Sequence, residues 1–437
     1  MNSNFILRLL GYKINQSIKD LNTLKLLSED VFWKQQIKKR DKILQHHLRN
    51  TLWYGKFVGD VNNLDWSEIP IITKNDLQNF TLENNAENHS IKQYYFANTS
   101  GSTGHPFSFW KDKPCHSLAW AKIQTSYADL GISISDKEAR FFGHVKNSVR
   151  TKIFEATKDF ILNRIRFDIF DVSDTKLMGY LHKFKRKKFG YVYGYTNVIL
   201  EFSKFILKKD LCPVKQFCPS LKLCIVTAEM CNDENRKIIE KALGVPVFQE
   251  YGASETSIIA IENKQLNWGI STDRLWVEVV DENNELVLDG KTGKIIITDL
   301  YNRVFPFIRY EIGDFGSIKR EDSSPYLLLK ELKGRESDMI YLPSGKKSPG
   351  LTFYYIARSI LEKSNNIREF RIIQKTLNTF KFQIVSDNEL CQTDKAELLE
   401  ETSRYLEPGL IIDFELCNKI NDYYSGKIQN FFSELNQ

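Results

Sequence analysis

The chain has 437 residues, 42% of them apolar, which is enough for two or three domains with a sizeable core and too apolar for a disordered segment. Lys and Arg total 61 against 55 Asp and Glu, a formal charge of +6. Over this length that is a mild bias, suited to anionic small ligands and without the clustered footprint of a nucleic-acid binder. No apolar run approaches the roughly 20 residues that span a bilayer.

The N-terminus, MNSNFILRLLGYKI, has a short apolar patch but no signal-peptide core and no small-residue cleavage site, so a cytoplasmic protein is expected. Residues 1–65 read as helical and charged, with few Gly or Pro. Ile69-Pro70-Ile71-Ile72-Thr73-Lys74 breaks that pattern, and Thr73 is placed to cap a helix beginning at Asn75-Asp76. From about 92 to 300 short apolar strands alternate with amphipathic helices. Leu221–Val226 reads as a buried strand, Asn232–Leu243 as a helix ended by Gly244, and Val245-Pro246-Val247-Phe248 as the next strand. That order marks a parallel α/β sheet.

Residues 273–298 differ: strands at Leu275–Val280, Leu286–Leu288 and Gly293–Thr298 around a polar turn at Asp281–Glu285 suggest an antiparallel subdomain. After Gly334-Arg335 a small α+β unit follows, with helices at 351–363 and 393–405, two strands near 368–386, one at 410–416 and a short tail. The basic run His182–Lys188 fits a solvated helix end, or an anionic-ligand or membrane-surface patch. The seven cysteines (115, 212, 218, 224, 231, 391, 417) contain no CxxC pair and are expected as reduced, mostly buried thiols.

Five motifs carry chemistry. Thr99-Ser100-Gly101-Ser102-Thr103-Gly104 follows an apolar strand, Tyr94–Ala97. Its glycines let several N–H groups face one point and its four hydroxyls add donors, which suits phosphate oxygens; no Gly-Lys-Ser/Thr follows, so it is not a Walker loop. An ordinary Ser/Gly surface turn is the competing reading. Gln249-Glu250-Tyr251-Gly252-Ala253-Ser254-Glu255 ends the strand Val247-Phe248 and offers a ring for a base and a carboxylate for Mg²⁺, or a mere Gly turn capped by Ser254. Pro306–Asp314 ends an aromatic-rich strand on a Gly-Asp turn. Lys333-Gly334-Arg335 marks the change in character, and Ser425-Gly426-Lys427 would present a lysine on a Gly turn.

In this order the motifs resemble the adenylate-forming superfamily of acyl-CoA synthetases, adenylation domains and luciferases, over about residues 65–430. The resemblance is strongest to the phenylacetate–CoA ligase group and its relatives in capsule and lipopolysaccharide gene clusters. Ile69–Leu77 resembles the segment before that group's phosphate loop, and Thr227-Ala228-Glu229-Met230 its adenine-binding strand end. The resemblance implies a large α/β domain with mixed sheets and an antiparallel subdomain over 1–335, and a small mobile α+β domain over 336–437. It implies that Thr99 to Gly104 hold the β- and γ-phosphates, and that Ala228 and Glu229 lie along an adenine stacked on Tyr251, within the motif holding Gly252 and Ser254. Glu255 would ligate Mg²⁺, Asp314 would accept from the ribose hydroxyls, and Arg335 would reach the ribose or phosphate. Lys427 would bridge the acid and the α-phosphate, and Ser337 would serve as a hinge.

Departures accompany the resemblance. His105-Pro106-Phe107 stands where the superfamily often has a lysine. Residues 256–275 hold no Cys or His, so no zinc is expected. Lys419 lies close enough to Lys427 to compete for its role. The implied reaction is ATP-dependent formation of an acyl-AMP, then transfer to CoA or, in a polysaccharide role, to an amine. The partners are a small carboxylic acid and an acyl acceptor, with no nucleic acid. An acid pocket is expected from 141–148 and 190–197, with Phe142, His144, Tyr193 and Tyr195, although such aromatics also suit a core. The rivals are a non-catalytic binding protein on a degenerate ligase fold and a nucleotide-sugar transferase, which would not need the Ser-Gly-Lys ending.

Overall fold

The computed structural model describes residues 3–59, 65–77, 80, 94–98, 108–141, 149–167, 174–321, 325–335, 339–345, 347–349, 367–386, 388, 390–417 and 431–436. The N-terminal helices are Ser3–Leu9, Ile14–Lys25, Glu29–Asn50 and Leu52–Val58, as the sequence suggests. They are fastened to the rest by polar contacts from inside. Gln36 Nε2 donates to the Thr272 carbonyl (2.7 Å), and His47 sits between Thr51 Oγ1 and the Asn302 carbonyl, 2.8 Å from each. Lys122–Asp273 (2.7 Å) and Arg274–Asp299 (3.2 Å) are buried ion pairs in the same layer.

Thr73 caps the one-turn helix Lys74–Leu77, and Asp76 answers it: Thr73 Oγ1 accepts from the Asp76 N–H, and Asp76 Oδ2 accepts from the Thr73 N–H. Just before it, Ile72 bridges Tyr310 in parallel fashion. Buried Arg309, held at φ +44°, donates to the carbonyls of Ser67 and Ile69 (2.6 Å each). This pins the segment 67–77 against the strand that carries Asp314.

Among the described residues the main sheet has eleven strands. Edge to edge they are Leu275–Val280, Gly293–Asp299, Tyr310–Arg320, Leu327–Arg335, Trp268–Ile270, Ser257–Glu262, Val247–Ala253, Leu223–Thr227, Tyr191–Tyr195, Glu138–Phe141 and Arg164–Arg166. The last five are mutually parallel and the others antiparallel. The expected antiparallel unit is therefore the other half of one continuous mixed sheet. Leu286–Leu288 forms only a bridge from Leu286 to Val280. The helix Asp233–Leu243 begins on Asn232, whose side chain accepts from the Asn235 N–H (2.8 Å), and ends on Gly244 at φ +72°.

One face of the parallel half buries an aromatic cluster of Phe141, Phe167, Tyr180, Phe184, Phe189 and Phe202 under the helices Asp174–Arg186 and Thr196–Lys208. Phe141 and Phe167 stack with centroids 4.4 Å apart. Each buried ring contributes roughly 2–3 kcal/mol by transfer from water. On the first of these helices only Phe184 of the basic run turns inward; His182, Lys183 and Lys185–Lys188 are exposed, as a solvated helix end requires.

The small C-terminal unit is a four-stranded sheet ordered Ile411–Leu416, Thr379–Ser386, Ile367–Gln374, Phe431–Ser433, with the helix Gln392–Tyr405. Its core is Ile340, Leu342, Ile372, Phe380, Phe382, Ile384, Leu398 and Phe431. The expected short tail is thus corrected: its phenylalanines add a parallel edge strand, Ile372 opposite Phe431. The helix expected over 351–363 lies outside the described residues. All seven cysteines are free, and 115, 218, 224 and 231 are buried. No helix among the described residues is long and apolar enough to cross a membrane.

Candidate active site

The hairpin Tyr95–Asn98 with Ser108–Lys111 brackets the Gly/Ser-rich loop, with Asn98 opposite Ser108 at its mouth. Thr99, Ser100, Gly101, Ser102, Thr103 and Gly104 themselves lie outside the described residues. The second strand ends on Lys111, a side chain outside the sequence motifs. It is 2% exposed, and its Nζ donates to the Ser254 carbonyl (3.0 Å). Burial pushes its ammonium pKa down, while the charges of Asp299 and Glu255 pull it up. Lys111 thus ties the hairpin of the phosphate-type loop to the turn that carries Glu255.

Tyr251 lies inside the strand Val247–Ala253, not in a turn beyond its end, and a register shift falls between Tyr251 and Gly252. The following turn holds Ser254 and Glu255. Gly313 and Asp314 likewise lie within the long strand Tyr310–Arg320 and do not close an earlier one. Gly313 takes φ +80°, a conformation that L side chains rarely adopt, and the register slips just after Asp314. This kink brings the Asp314 carboxylate to the Tyr251 hydroxyl, which donates to Oδ2 at 2.6 Å. Arg335 is the cross-strand neighbour of Asp314. The sequence-predicted Tyr251, Asp314 and Arg335 backbone therefore converge from three strands.

Glu255 is 9% exposed, and Tyr310 Oη lies 3.4 Å from its Oε1. Among the described residues no three His, Cys, Asp or Glu side chains gather as a metal cage. A single buried carboxylate still fits Mg²⁺, which commonly takes one or two carboxylates and completes its shell with phosphates and water.

Ala228 follows the strand Leu223–Thr227 at φ +70°, unusual for a residue with a Cβ, and its side chain is exposed. Glu229 faces elsewhere: its carboxylate accepts from Asn197 N (2.8 Å) and Nδ2 (2.9 Å) at the start of the helix Thr196–Lys208, and its carbonyl accepts from Thr196 Oγ1 (2.8 Å). An acidic group at a helix N-terminus is stabilising there. Glu229 thereby fixes the Tyr195–Asn197 corner.

Of the expected pocket residues, Phe142 and His144 lie outside the described residues. Tyr193 and Tyr195 flank the place where the strand order reverses. From Glu138–Phe141 the sheet grows one way to Arg164–Arg166 and the other way through Tyr191–Tyr195. Open α/β sheets bind ligands at such a switch point, beyond the carboxyl ends of the strands. The two strands meet closely through Gly194, since a Cβ there would lie 2.2 Å from the Phe141 carbonyl oxygen.

On the face under the helix Lys113–Leu130, the sheet carries a polar network that the motifs did not signal. Buried Glu250 accepts from Tyr127 Oη (2.7 Å) and Tyr193 Oη (3.0 Å). Arg140 Nη1 donates to Glu138 Oε1 (2.7 Å), Tyr191 Oη donates to Glu138 Oε2 (3.0 Å), and the Arg140 guanidinium lies 4.8 Å from the Tyr193 ring centroid. Burial raises the Glu250 carboxyl pKa, which the two tyrosine bonds and Arg140 partly offset. Burial pushes Tyr195 up to about 12, with Glu229 adding to the shift.

Residues 347–434 match the family described as the CapK C-terminal domain. The chain is 24% identical over 405 residues to protein CapK of Staphylococcus aureus, spanning 90% of this chain and 84% of that one. A stretch of 128 residues is 30% identical to phenylacetate-coenzyme A ligase of Pseudomonas putida, covering 28% of this chain and 29% of the relative. Among solved structures, 2-hydroxyisobutyryl-CoA ligase in its postadenylation state with 2-HIB-AMP aligns with a TM-score of 0.71 at 17% identity, over 94% of this chain and 92% of that one. At that identity the structural likeness speaks for the fold.

Proposed function

Because the chain belongs to the adenylate-forming superfamily, on its phenylacetate–CoA ligase-like, capsule-related side, we propose that it uses ATP to activate a carboxylic acid. An oxygen of the acid attacks the α-phosphorus, the bond to the β-phosphate oxygen breaks, and acyl-AMP and pyrophosphate form. The sulfur of coenzyme A then attacks the acyl carbon and AMP leaves, giving a thioester.

The observation that carries this reading is the Tyr251–Asp314 pair beside Arg335. A ribose diol needs a fixed anionic acceptor, and a carboxylate held by a tyrosine hydroxyl is one. Tyr251 offers its ring to the adenine, alongside Ala228, held at φ +70°, and the backbone of Glu229. The loop 99–104 and Arg335 are assigned to phosphate and ribose, and Lys427 to the oxygens of acid and α-phosphate. Mg²⁺ on Glu255 would neutralise phosphate charge, so the protein's contribution is chiefly positioning and electrostatics. The domain boundary at 335/336, with Ser337 as hinge, is part of the same proposal, because one lysine cannot occupy the acyl carbon's approach in both steps.

The test is ATP–pyrophosphate exchange with pooled carboxylic acids, repeated with Lys427→Ala. Acid-dependent exchange in the parent, cut on the order of 10²-fold or more in the variant, supports the proposal. No exchange with any acid, or full exchange in Lys427→Ala, would reject it. Mass analysis of products formed with CoA or with amines added identifies the acceptor.

A further inference from the structure

We propose that the protein docks on an anionic lipid surface through the outward faces of two helices, Ser3–Leu9 and Val149–Ile161. Both are turned inside out relative to the usual surface helix, which buries its apolar stripe and exposes its charges. On Val149–Ile161 the acids point inward: Glu155 pairs with Arg166, and Asp159 with both Arg164 and Arg166. Ile153, Ala156, Thr157 and Phe160 are exposed, and their spacing of i, i+3, i+4 and i+7 makes one stripe. Ile153 is 63% exposed and Phe160 84%. On Ser3–Leu9 the buried side chain is polar. Asn4 Nδ2 donates to Asn15 Oδ1 (3.1 Å) and to Gln124 Oε1 (2.9 Å). Phe5, Arg8 and Leu9 face out at i, i+3 and i+4, with Phe5 54% and Leu9 72% exposed.

The two helices belong to one layer. Ser3–Leu9 lies against Lys113–Leu130 through Asn4 and Gln124. Arg164 and Arg166 are register partners of Glu138 and Arg140, which meet Tyr191 and Tyr193 on the face under that same helix, so Val149–Ile161 covers this face too. The corner between them is tight. The Tyr12 ring, just after the first helix, lies 5.3 Å from His116, which stacks on Tyr95 at 3.8 Å; the charge of Lys158 reaches His116 and that of Glu155 reaches Tyr95. The chemistry of this surface selects its occupant. Large apolar side chains stand among cations, exposed Arg8 and half-exposed Lys158, while the first helix has no acid and those of the second are paired inward. Apolar side chains of this kind enter the headgroup layer and the cations meet lipid phosphates. Helices of 7 and 13 residues lie on such a surface and do not cross it. A second copy is less well matched, because a two-fold interface would set this cationic patch against itself.

The experiment is flotation of the purified full chain with vesicles of phosphatidylcholine, alone or mixed with phosphatidylglycerol. The expected result is binding to the mixed vesicles at least about tenfold tighter than to the neutral ones, weakening as salt rises. Phe160→Ser and Leu9→Ser should each lower that affinity on the order of tenfold. Arg8→Glu should weaken the preference for anionic vesicles. Leu288→Ser is the control: this leucine, also 72% exposed, lies between the strands Leu275–Val280 and Gly293–Asp299, and its variant should bind like the parent. The thermal midpoint verifies that each variant folds, and a variant in either helix decides alone if the other does not. Binding to neither vesicle, equal binding to both, or unchanged binding by the folded Phe160 and Leu9 variants overturns the inference. So does a dimer, seen by light scattering and dissolved by Phe160→Ser, in a protein that leaves vesicles unbound; a second copy would then be the occupant.

Discussion

The Tyr251 hydroxyl donates to Asp314 Oδ2 at 2.6 Å, joining the parallel half of the sheet to its antiparallel half at the proposed ribose site. Hydrogen bonds to charged groups are worth about 1.5–3 kcal/mol. Tyr251→Phe keeps the ring and removes the bond, so KM for ATP should rise roughly tenfold. Asp314→Ala should lose measurable ATP binding by calorimetry with the thermal midpoint little changed. Unaltered affinity in both variants would refute the assignment.

Lys111 makes a second prediction. It is a buried cation bound to the Ser254 carbonyl, one residue from the proposed magnesium ligand. Replacing a buried charge by an apolar group of similar length is often neutral for stability. Lys111→Met should therefore melt close to the parent yet need more Mg²⁺ for half-maximal exchange. A magnesium titration of the exchange rate reads this directly, and an unshifted curve would show Lys111 to be structural only.

Gly194 supplies a steric test. An added Cβ would sit 2.2 Å from the Phe141 carbonyl oxygen, so Gly194→Ala must push two strands apart at the switch point. The expected cost is about 2–3 kcal/mol, read as a lower urea midpoint. Gly179→Ala is the control: it lies in the helix Asp174–Arg186 with nothing within 4 Å of the new Cβ, and should be stabilising by about 0.5–1 kcal/mol.

Acid sensitivity follows from the buried histidines. Burial lowers the pKa of both His47 and His116 from 6.5 to about 3. Above pH 6.5 both states are neutral and nothing is lost. As pH falls below 6.5 the unfolded chain takes up protons that the folded chain refuses, so stability declines toward pH 3. Each histidine contributes a slope approaching roughly 1.4 kcal/mol per pH unit. His47→Gln, which can still bridge Thr51 and Asn302, should flatten the decline of the urea midpoint between pH 6.5 and about 5. Parallel profiles for parent and variant would contradict the mechanism.

The parallel strand–helix order was legible because buried strands read as unbroken apolar runs and because Asn232 and Gly244 punctuate their helix. The kinked strand at Asp314 was not, since Gly-Asp marks a turn in most contexts; only pairing with Leu327–Arg335 keeps the chain extended through it. Tyr251 was readable as a site residue, but its hydroxyl's partner lies 63 residues away, beyond any local pattern. Arg140, Glu250 and Lys111 were missed for a related reason. Each is a charged side chain inside a short strand, and its meaning depends on which strands become neighbours.

The strands Ile411–Leu416 and Phe431–Ser433 occupy opposite edges of the small sheet. Whatever path residues 417–430 take, both of their ends are stitched to that one sheet, about three strand spacings, roughly 14 Å, apart. Phe431, 4% exposed, is thus a fixed anchor four residues beyond Lys427, the proposed adenylation lysine. A deletion that trims the last seven residues would look conservative on paper. It would remove that edge strand and, with it, the anchor behind the proposed lysine.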